Sequence, residues 1–418
     1  MASPELDDGG RTSAMADYGE IVNRSDTENS KNMVMKKKKS KAGSFQRPRF
    51  ACFGGIKSEP DGKGNFDMEV DEKFRDRTPN HLVIMVNGLV GKAQNWKFAA
   101  KQFLKKYPND VVVHCSECNS LVLTLDGVDV MGDRLAEEVI SVIKRHPGVQ
   151  KISFVGHSLG GLIARYAIAV LYERDITREP KQSQENGDCR TDGPEDPRSE
   201  ERIKGKIAGL EPMNFITSAT PHLGSRGHKQ VPIFCGLYTL EKVAFRTSSF
   251  LGKTGRHLFL ADSDNGKPPL LLRMASDSEN LKFISALGSF KRRVAYANVR
   301  FDSLVGWSTS SLRHRDELPK LKRKSGGDKY PHIVNVETTR IASPQEVASE
   351  AKVDCHKNIG MEEEMLKGLT KLSWERVDVS FRGSRQRLLA HTTIQVKGSW
   401  INSDGADVIC HMVDNFLL

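Results

Sequence analysis

The chain has 418 residues, about two and a half times the commonest domain length, with 38% hydrophobic and 28% charged side chains, a net charge of +10 and a mean hydropathy of −0.46. That composition is globular, and no apolar run approaches the ~20 residues of a membrane span, so an integral membrane protein and a wholly disordered chain are excluded. No basic run interleaves aromatics in the manner of a nucleic-acid reader, so no nucleic-acid partner is expected.

Residues 1–75 show no sustained hydrophobic period. An acidic block, with two basic and seven acidic side chains in residues 1–30, precedes a basic one, with eight basic and no acidic side chains in residues 31–50. Such a segment buries too little apolar surface to offset its ordering entropy, so a disordered N-terminal tail is expected. Its Lys36–Lys41 run reads as a solvated stretch, or as a localisation or membrane-surface patch. The acidic start lacks a hydrophobic stretch, and the seven cysteines are sparse. Free thiols and a cytoplasmic setting are therefore expected.

From residue 76 the pattern changes. Leu82–Val86 is a short β-rich run ended by Asn87-Gly88, and reads as a buried strand. Asn95 to Tyr107 has helical apolar spacing. Val111–Val113 is a second strand. Val130 to His146 is an amphipathic helix stopped by Pro147-Gly148. Ile152–Val155 is a strand and Leu162 to Tyr172 a helix. This alternation predicts an α/β domain over residues 76–418, with a mostly parallel sheet and helices on its faces. Residues 173–206, with ten acidic and eight basic side chains and three prolines, read as a polar surface insertion. Phe215–Ala219 resumes the sheet and residues 222–290 are irregular. Val294–Val299 and Trp374–Phe381 are late strands, and Ala406 to Leu417 is a closing amphipathic helix.

The chemistry centres on Gly156-His157-Ser158-Leu159-Gly160, a G-x-S-x-G match. A serine on a sharp strand-to-helix turn has an exposed hydroxyl, and flanking glycines allow strand and helix to approach. A strand directly precedes this match and a helix directly follows it, which is the context the motif requires. The bland alternative is a glycine-rich turn with an idle serine.

A nucleophilic serine needs a base, and the base needs an orienting acid. In chain order Ser, acid, His, the positions that fit are Asp302, just after Val294–Val299, and His391, between the last strand and the last helix. Asp302 as a loop cap and His391 as an ordinary loop histidine remain the alternatives. His411 competes, but lies inside the final helix, where a surface role is expected. Oxyanion donors are expected from the N–H groups of Leu159, after the nucleophile, and Leu89, in the loop after the first strand.

These residues resemble the serine esterase family of Rog-type, lipase-like α/β-hydrolases found in plants and fungi. The matching stretches are Val86–Leu89, Thr124–Gly127, Gly132–Leu135, Gly156–Gly161, Thr217–Gly224, Asn298–Asp302 with Val305, and Ala390–Ile394, within residues 80–418. The resemblance implies an α/β-hydrolase fold with an inserted cap or lid. It also implies a Ser158–Asp302–His391 triad acting through an acyl-enzyme on lipid or other carboxylic esters, with no metal or organic cofactor. Two departures stand out. Many lipases carry His-Gly where this chain has Asn87-Gly88, and Asp302 and His391 are unusually far apart in sequence.

Other features have plain readings. Cys115-Ser116-Glu117-Cys118, beside His114, has no second ligand pair for zinc and opens no helix as a redox motif would. His222 either borders the pocket or fixes a turn. Residues 222–290 carry aromatic and aliphatic side chains (Phe234, Tyr238, Phe245, Phe250) that suit an acyl-chain lid, or a small core of their own. Residues 291–329 have a net charge of +7, which reads as a solvated loop or as a face for peripheral contact with anionic lipid. A scaffold that has lost turnover and binds lipid or protein is the competing function.

Overall fold

The computed structural model describes residues 56–57, 66–176, 203–225, 251–264, 266–321, 329–338 and 357–418. Nine strands form one sheet: β1 (Ile56–Lys57), β2 (Phe66–Val70), β3 (His81–Val86), β4 (Val111–Cys115), β5 (Lys151–His157), β6 (Glu211–Ser218), β7 (Arg292–Asn298), β8 (Ile333–Thr338) and β9 (Glu375–Val379). Their order is β1-β2-β4-β3-β5-β6-β7-β9-β8. The six central strands, β4 to β9 in that order, run parallel. The pairings β1–β2, β2–β4 and β8–β9 are antiparallel.

The helices that matter here are α1 (Lys97–Lys106), α2 (Val128–Arg145), α3 (Leu159–Leu171), α4 (Lys357–Leu369) and α5 (Ala406–Asp414). They cover both faces of the sheet, which explains why the central strands read as unbroken apolar runs. Alternate side chains of β3 divide between two cores. Leu82, Ile84 and Val86 pack with α2 and α3, and Val83 and Met85 pack with α1 and α5. This is the α/β-hydrolase fold, and it places the ends of β3, β5, β7 and β9 along one edge, where loops carry chemistry.

Three differences from the sequence reading have physical causes. Strands β1 and β2 fall inside the span read as a tail, and the unit that carries the sheet begins at Phe53. Phe66-Asp67-Met68-Glu69-Val70 alternates apolar and polar side chains, with Met68 and Val70 buried, but over only five residues, too short to stand out in a polar segment, and antiparallel pairing to β4 holds it. Strand β8 and helix α4 were not anticipated either. They lie between Asp302 and His391 and account for the long separation. The irregular 222–290 stretch contains short helices at Gly252–Leu258, Leu270–Arg273 and Phe283–Gly288. The lid residues Phe234 to Phe250, most of residues 1–75, and residues 177–202 of the polar insertion lie outside the described residues. The base of that insertion is closed by a bridge between Tyr172 and Ile207.

Candidate active site

Strand β5 ends at His157 and α3 begins at Leu159, so Ser158 makes the whole turn, with φ 54° and ψ −127°. A non-glycine residue held there costs about 1–3 kcal/mol, and its surroundings must impose it. They do. The Ser158 N–H donates to Ser218 O at 2.9 Å, and Ser158 O accepts from the Gly161 N–H at 3.2 Å. A Cβ on Gly156 would sit 2.6 Å from Gly161 Cα, and one on Gly160 would collide with the Val86 carbonyl oxygen. Glycine at both places lets α3 seat directly against β3 and β5.

Three distant residues meet at this turn. His391 Nε2 lies 3.0 Å from Ser158 Oγ, and His391 Nδ1 lies 3.0 Å from Asp302 Oδ2. Asp302 follows β7, and His391 lies on the short helix Ala390–Thr393 after β9. The Asp302 side chain is only 2% exposed. Its Oδ2 also accepts from Asn298 Nδ2 at 2.8 Å, and its Oδ1 from the N–H groups of Leu304 (3.0 Å) and Val305 (2.9 Å). Burial alone would raise its pKa. The facing His391, then Asn298 and the Val305 N–H, outweigh that and hold the carboxyl below its ordinary value. An ionised Asp302 accepting from Nδ1–H leaves His391 Nε2 as an acceptor facing the serine hydroxyl.

A second histidine supports the first. His157 Nε2 donates to the His391 backbone carbonyl at 2.7 Å, and the two rings lie 4.8 Å apart. Burial, and then the neighbouring His391, push the His157 pKa down to about 3, so it is a neutral donor. The sequence reading named neither His157 nor Asn298 for a role. His157 occupies an unconstrained place in G-x-S-x-G, and its partner lies 234 residues away.

The loop after β3 passes close to Ser158. A Cβ on Gly88 would lie 2.8 Å from Ser158 Cβ and 3.3 Å from its Oγ, so only glycine fits. The neighbouring Leu89 N–H and the Leu159 N–H at the start of α3 have no acceptor among the described residues. Asn87 has a structural part. Its amide donates to Asn119 O at 3.0 Å and to Gly88 O at 3.3 Å, tying the loop after β3 to the loop after β4. The Val90 N–H, donating to Thr124 Oγ1 at 2.9 Å, adds a second tie.

Other sequence candidates lie away from this centre. His222 is fully buried, with Nε2 3.0 Å from Thr217 Oγ1, and it fixes the turn after β6. His411 is buried, not on a helix surface. Its Nδ1 meets the Tyr296 hydroxyl at 2.9 Å, because α5 turns that face to the sheet. Burial raises the pKa of both Cys115 and Cys118. Part of the charge of the 291–329 segment is paired inside the fold, and Lys322, Arg323 and Lys324 lie outside the described residues. Arg292 pairs with Glu375, Arg313 with the fully buried Asp378, Lys291 with Glu211 and Lys329 with Asp414, and Arg293 spends its donors on carbonyls.

With this geometry in place, comparison with known proteins is informative. The family model "Putative serine esterase (DUF676)" matches residues 76–312. The protein described as "Putative lipase ROG1" of Saccharomyces cerevisiae is 30% identical over 269 residues, covering 62% of this chain and 33% of that one. A second yeast protein, "Putative lipase YDL109C", is 29% identical over 252 residues, covering 59% and 32%. The chain thus spans about a third of the length of these curated relatives. Among solved structures, carboxyl esterase 2 of the fungus Tuber melanosporum aligns over 87% of each chain, with 11% identity and a TM-score of 0.39.

Proposed function

This chain belongs to the putative serine esterase family, and on that premise we propose that it hydrolyses carboxylic esters, chiefly lipid esters of the acylglycerol or phospholipid kind, through an acyl-enzyme on Ser158. The observation that carries this reading is the hydrogen-bonded line Ser158–His391–Asp302, with 3.0 Å at each link.

The chemistry follows from the geometry. His391 Nε2 takes the Ser158 proton as Oγ attacks the ester carbonyl. The oxyanion that forms faces the unpartnered N–H groups of Leu89 and Leu159, and the positive end of α3 adds to their field. His391 then returns the proton to the leaving alcohol. Water, activated by the same imidazole, attacks the acyl-enzyme and releases the acid and the free serine. Asp302 fixes the tautomer and stabilises the imidazolium at each stage. The lipase descriptions of the yeast relatives support lipid esters as the substrate class.

The test is fluorophosphonate labelling of the full chain and of Ser158→Ala, alongside hydrolysis of an ester series from short to long acyl chains. Labelling of the wild type alone, with turnover falling about 10⁴-fold or more in the variant, is expected. Labelling that persists in Ser158→Ala would remove the nucleophile. No labelling of either protein would favour a scaffold without turnover.

A further inference from the structure

Large hydrophobic side chains are exposed on this protein in one place far more than elsewhere. Fourteen are exposed among the described residues, and ten of them lie on the loops following β3, β4, β7 and β9. These strands are parallel, so the four loops share the sheet edge that holds Ser158, Asp302 and His391. Val122 is 72% exposed, Leu388 76% and Trp400 89%. Val90 stands beside the oxyanion loop, Phe301 beside Asp302, and Leu388 three residues before His391.

These side chains sit on ordered supports. The Leu121 N–H donates to Gly91 O at 3.0 Å, and the Arg387 guanidinium lies over the Phe301 ring, 5.9 Å from its centroid. Asn402 Nδ2 ties the Trp400–Ile401 segment to Thr392 Oγ1 at 3.1 Å. Exposed apolar side chains concentrated on one sheet edge in this way mark a binding face.

The charge around it narrows the partner. Residues 380–401 contain Arg382, Arg385, Arg387 and Lys397 and no acidic side chain. Arg300 flanks Phe301 on the neighbouring loop. All four arginines are exposed, and none has an ion pair among the described residues. Two carboxylates beside this stretch are engaged: Asp302 is buried against His391, and Asp404 accepts from the Ser384 hydroxyl. Aliphatic and indole side chains interleaved with unpaired arginines match an anionic lipid surface. The apolar tips enter the acyl boundary and the guanidinium groups stay at the phosphates.

We propose that this arginine-fringed apolar rim seats the protein on an anionic lipid bilayer with the Ser158 cleft facing the membrane. The docking reading rests on the proposed ester hydrolysis only for its purpose, which is delivery of a membrane-borne ester, and the two fail separately. The surface that does this is the 380–401 stretch with Arg300, not the ion-paired Lys291, Arg292, Arg313 and Lys329 of the 291–329 segment.

The test uses full-length Ser158→Ala, which holds turnover off, with vesicles of phosphatidylcholine alone or with one third phosphatidylserine. Co-sedimentation should favour the anionic vesicles and weaken with salt. Trp96 and Trp374 are buried and the half-buried Trp307 is held by its indole N–H on Asp378 Oδ1 at 2.7 Å, so a blue shift of tryptophan emission on binding should be lost in Trp400→Phe while sedimentation is kept. Leu388→Ser with Trp400→Ser should lower sedimentation with both vesicle types. Arg382→Gln with Arg385→Gln should lower it only with the anionic ones, by about fivefold per arginine. The same substitutions in the Ser158 protein should leave hydrolysis of a soluble short-chain ester unchanged, which separates misfolding and failure of the esterase reading from failure of docking. No sedimentation with anionic vesicles, sedimentation indifferent to both pairs of substitutions, or self-association abolished by Leu388→Ser with Trp400→Ser would each overturn the proposal.

Discussion

Two of the histidine–carboxylate pairs among the described residues are built from the same groups and differ in the second neighbour of the imidazole. In the cleft, His391 meets Asp302 through Nδ1 and the Ser158 hydroxyl through Nε2, at 3.0 Å each. At the β2 edge, His114 meets Asp67 through Nδ1 at 2.5 Å, and its Nε2 stands 3.3 Å from Glu138 Oε1, an ion pair off the line of a straight hydrogen bond. His114 is fully buried, which alone would lower its pKa. The Asp67 hydrogen bond and then Glu138 overcome that and raise it to about 9. Asp67 is shared further with Arg145 and His146. The second neighbour decides the outcome. A hydroxyl leaves an imidazole free to accept and return a proton, whereas a second carboxylate keeps it charged, as a clamp that cannot act as a base at neutral pH.

The largest expected effect comes from disabling the His391–Asp302 pair. Asp302→Asn keeps the shape but presents an amide to Nδ1, so His391 loses the tautomer that leaves Nε2 as acceptor. The turnover number should fall about 10⁴-fold with little change in stability. Steady-state hydrolysis of a soluble ester together with a thermal melt checks this. A variant within tenfold of wild type would show that Asp302 is a loop cap, since it also holds the Leu304 and Val305 N–H groups.

The clamp should respond in the opposite way. His114→Gln leaves Asp67 and Glu138 facing each other without their buried cation. Breaking a buried pair in this manner costs about 3–5 kcal/mol, while the activity of the folded fraction should persist. The pH dependence has a definite sign. The His114 pKa rises from 6.5 to about 9 on folding, so its contribution is complete below about pH 6.5 and is lost as pH rises through about 9. Denaturant midpoints from pH 6 to 10 should decline in the wild type, and this decline should be absent in His114→Gln. Equal declines in both proteins would assign the loss to other groups.

The two pairs also differ in how far a sequence can reveal them. The serine turn could be read because a strand, two glycines, a serine and a helix are contiguous. Asp302 and His391 could be placed beside it because both follow neighbouring parallel strands, β7 and β9. Between those strands lie β8 and α4, whose few buried residues gave no periodic signal, so the interval looked anomalous although the strand order is regular. The clamp was invisible. Its histidine sits in a β4 run beside Cys115, one carboxylate lies on β2 inside the apparent tail, and the other lies on α2. No local pattern joins residues 67, 114 and 138. Part of the basic 291–329 segment is hard to read for a related reason. Summed charge cannot show that Arg292 and Arg313 spend theirs on Glu375 and Asp378 inside the fold.

The finest test converts one arrangement towards the other. Glu138→Gln keeps an oxygen for the Glu117 and Cys118 N–H groups, now held at 2.9 and 3.3 Å, and removes one of the two charges on His114. Asp67 remains on Nδ1, as Asp302 does on His391. Burial still disfavours the imidazolium, so with one carboxylate fewer the pKa of His114 should fall from about 9, and each unit of fall is about 1.4 kcal/mol of lost pair stability at neutral pH. An NMR titration of the histidine ring resonances reads this directly, with ester turnover unchanged because the cluster lies outside the cleft. If His114 still titrated near 9, Asp67 with its neighbours would suffice to hold the charge. The contrast with His391 would then rest on burial and geometry, not on the identity of the second neighbour.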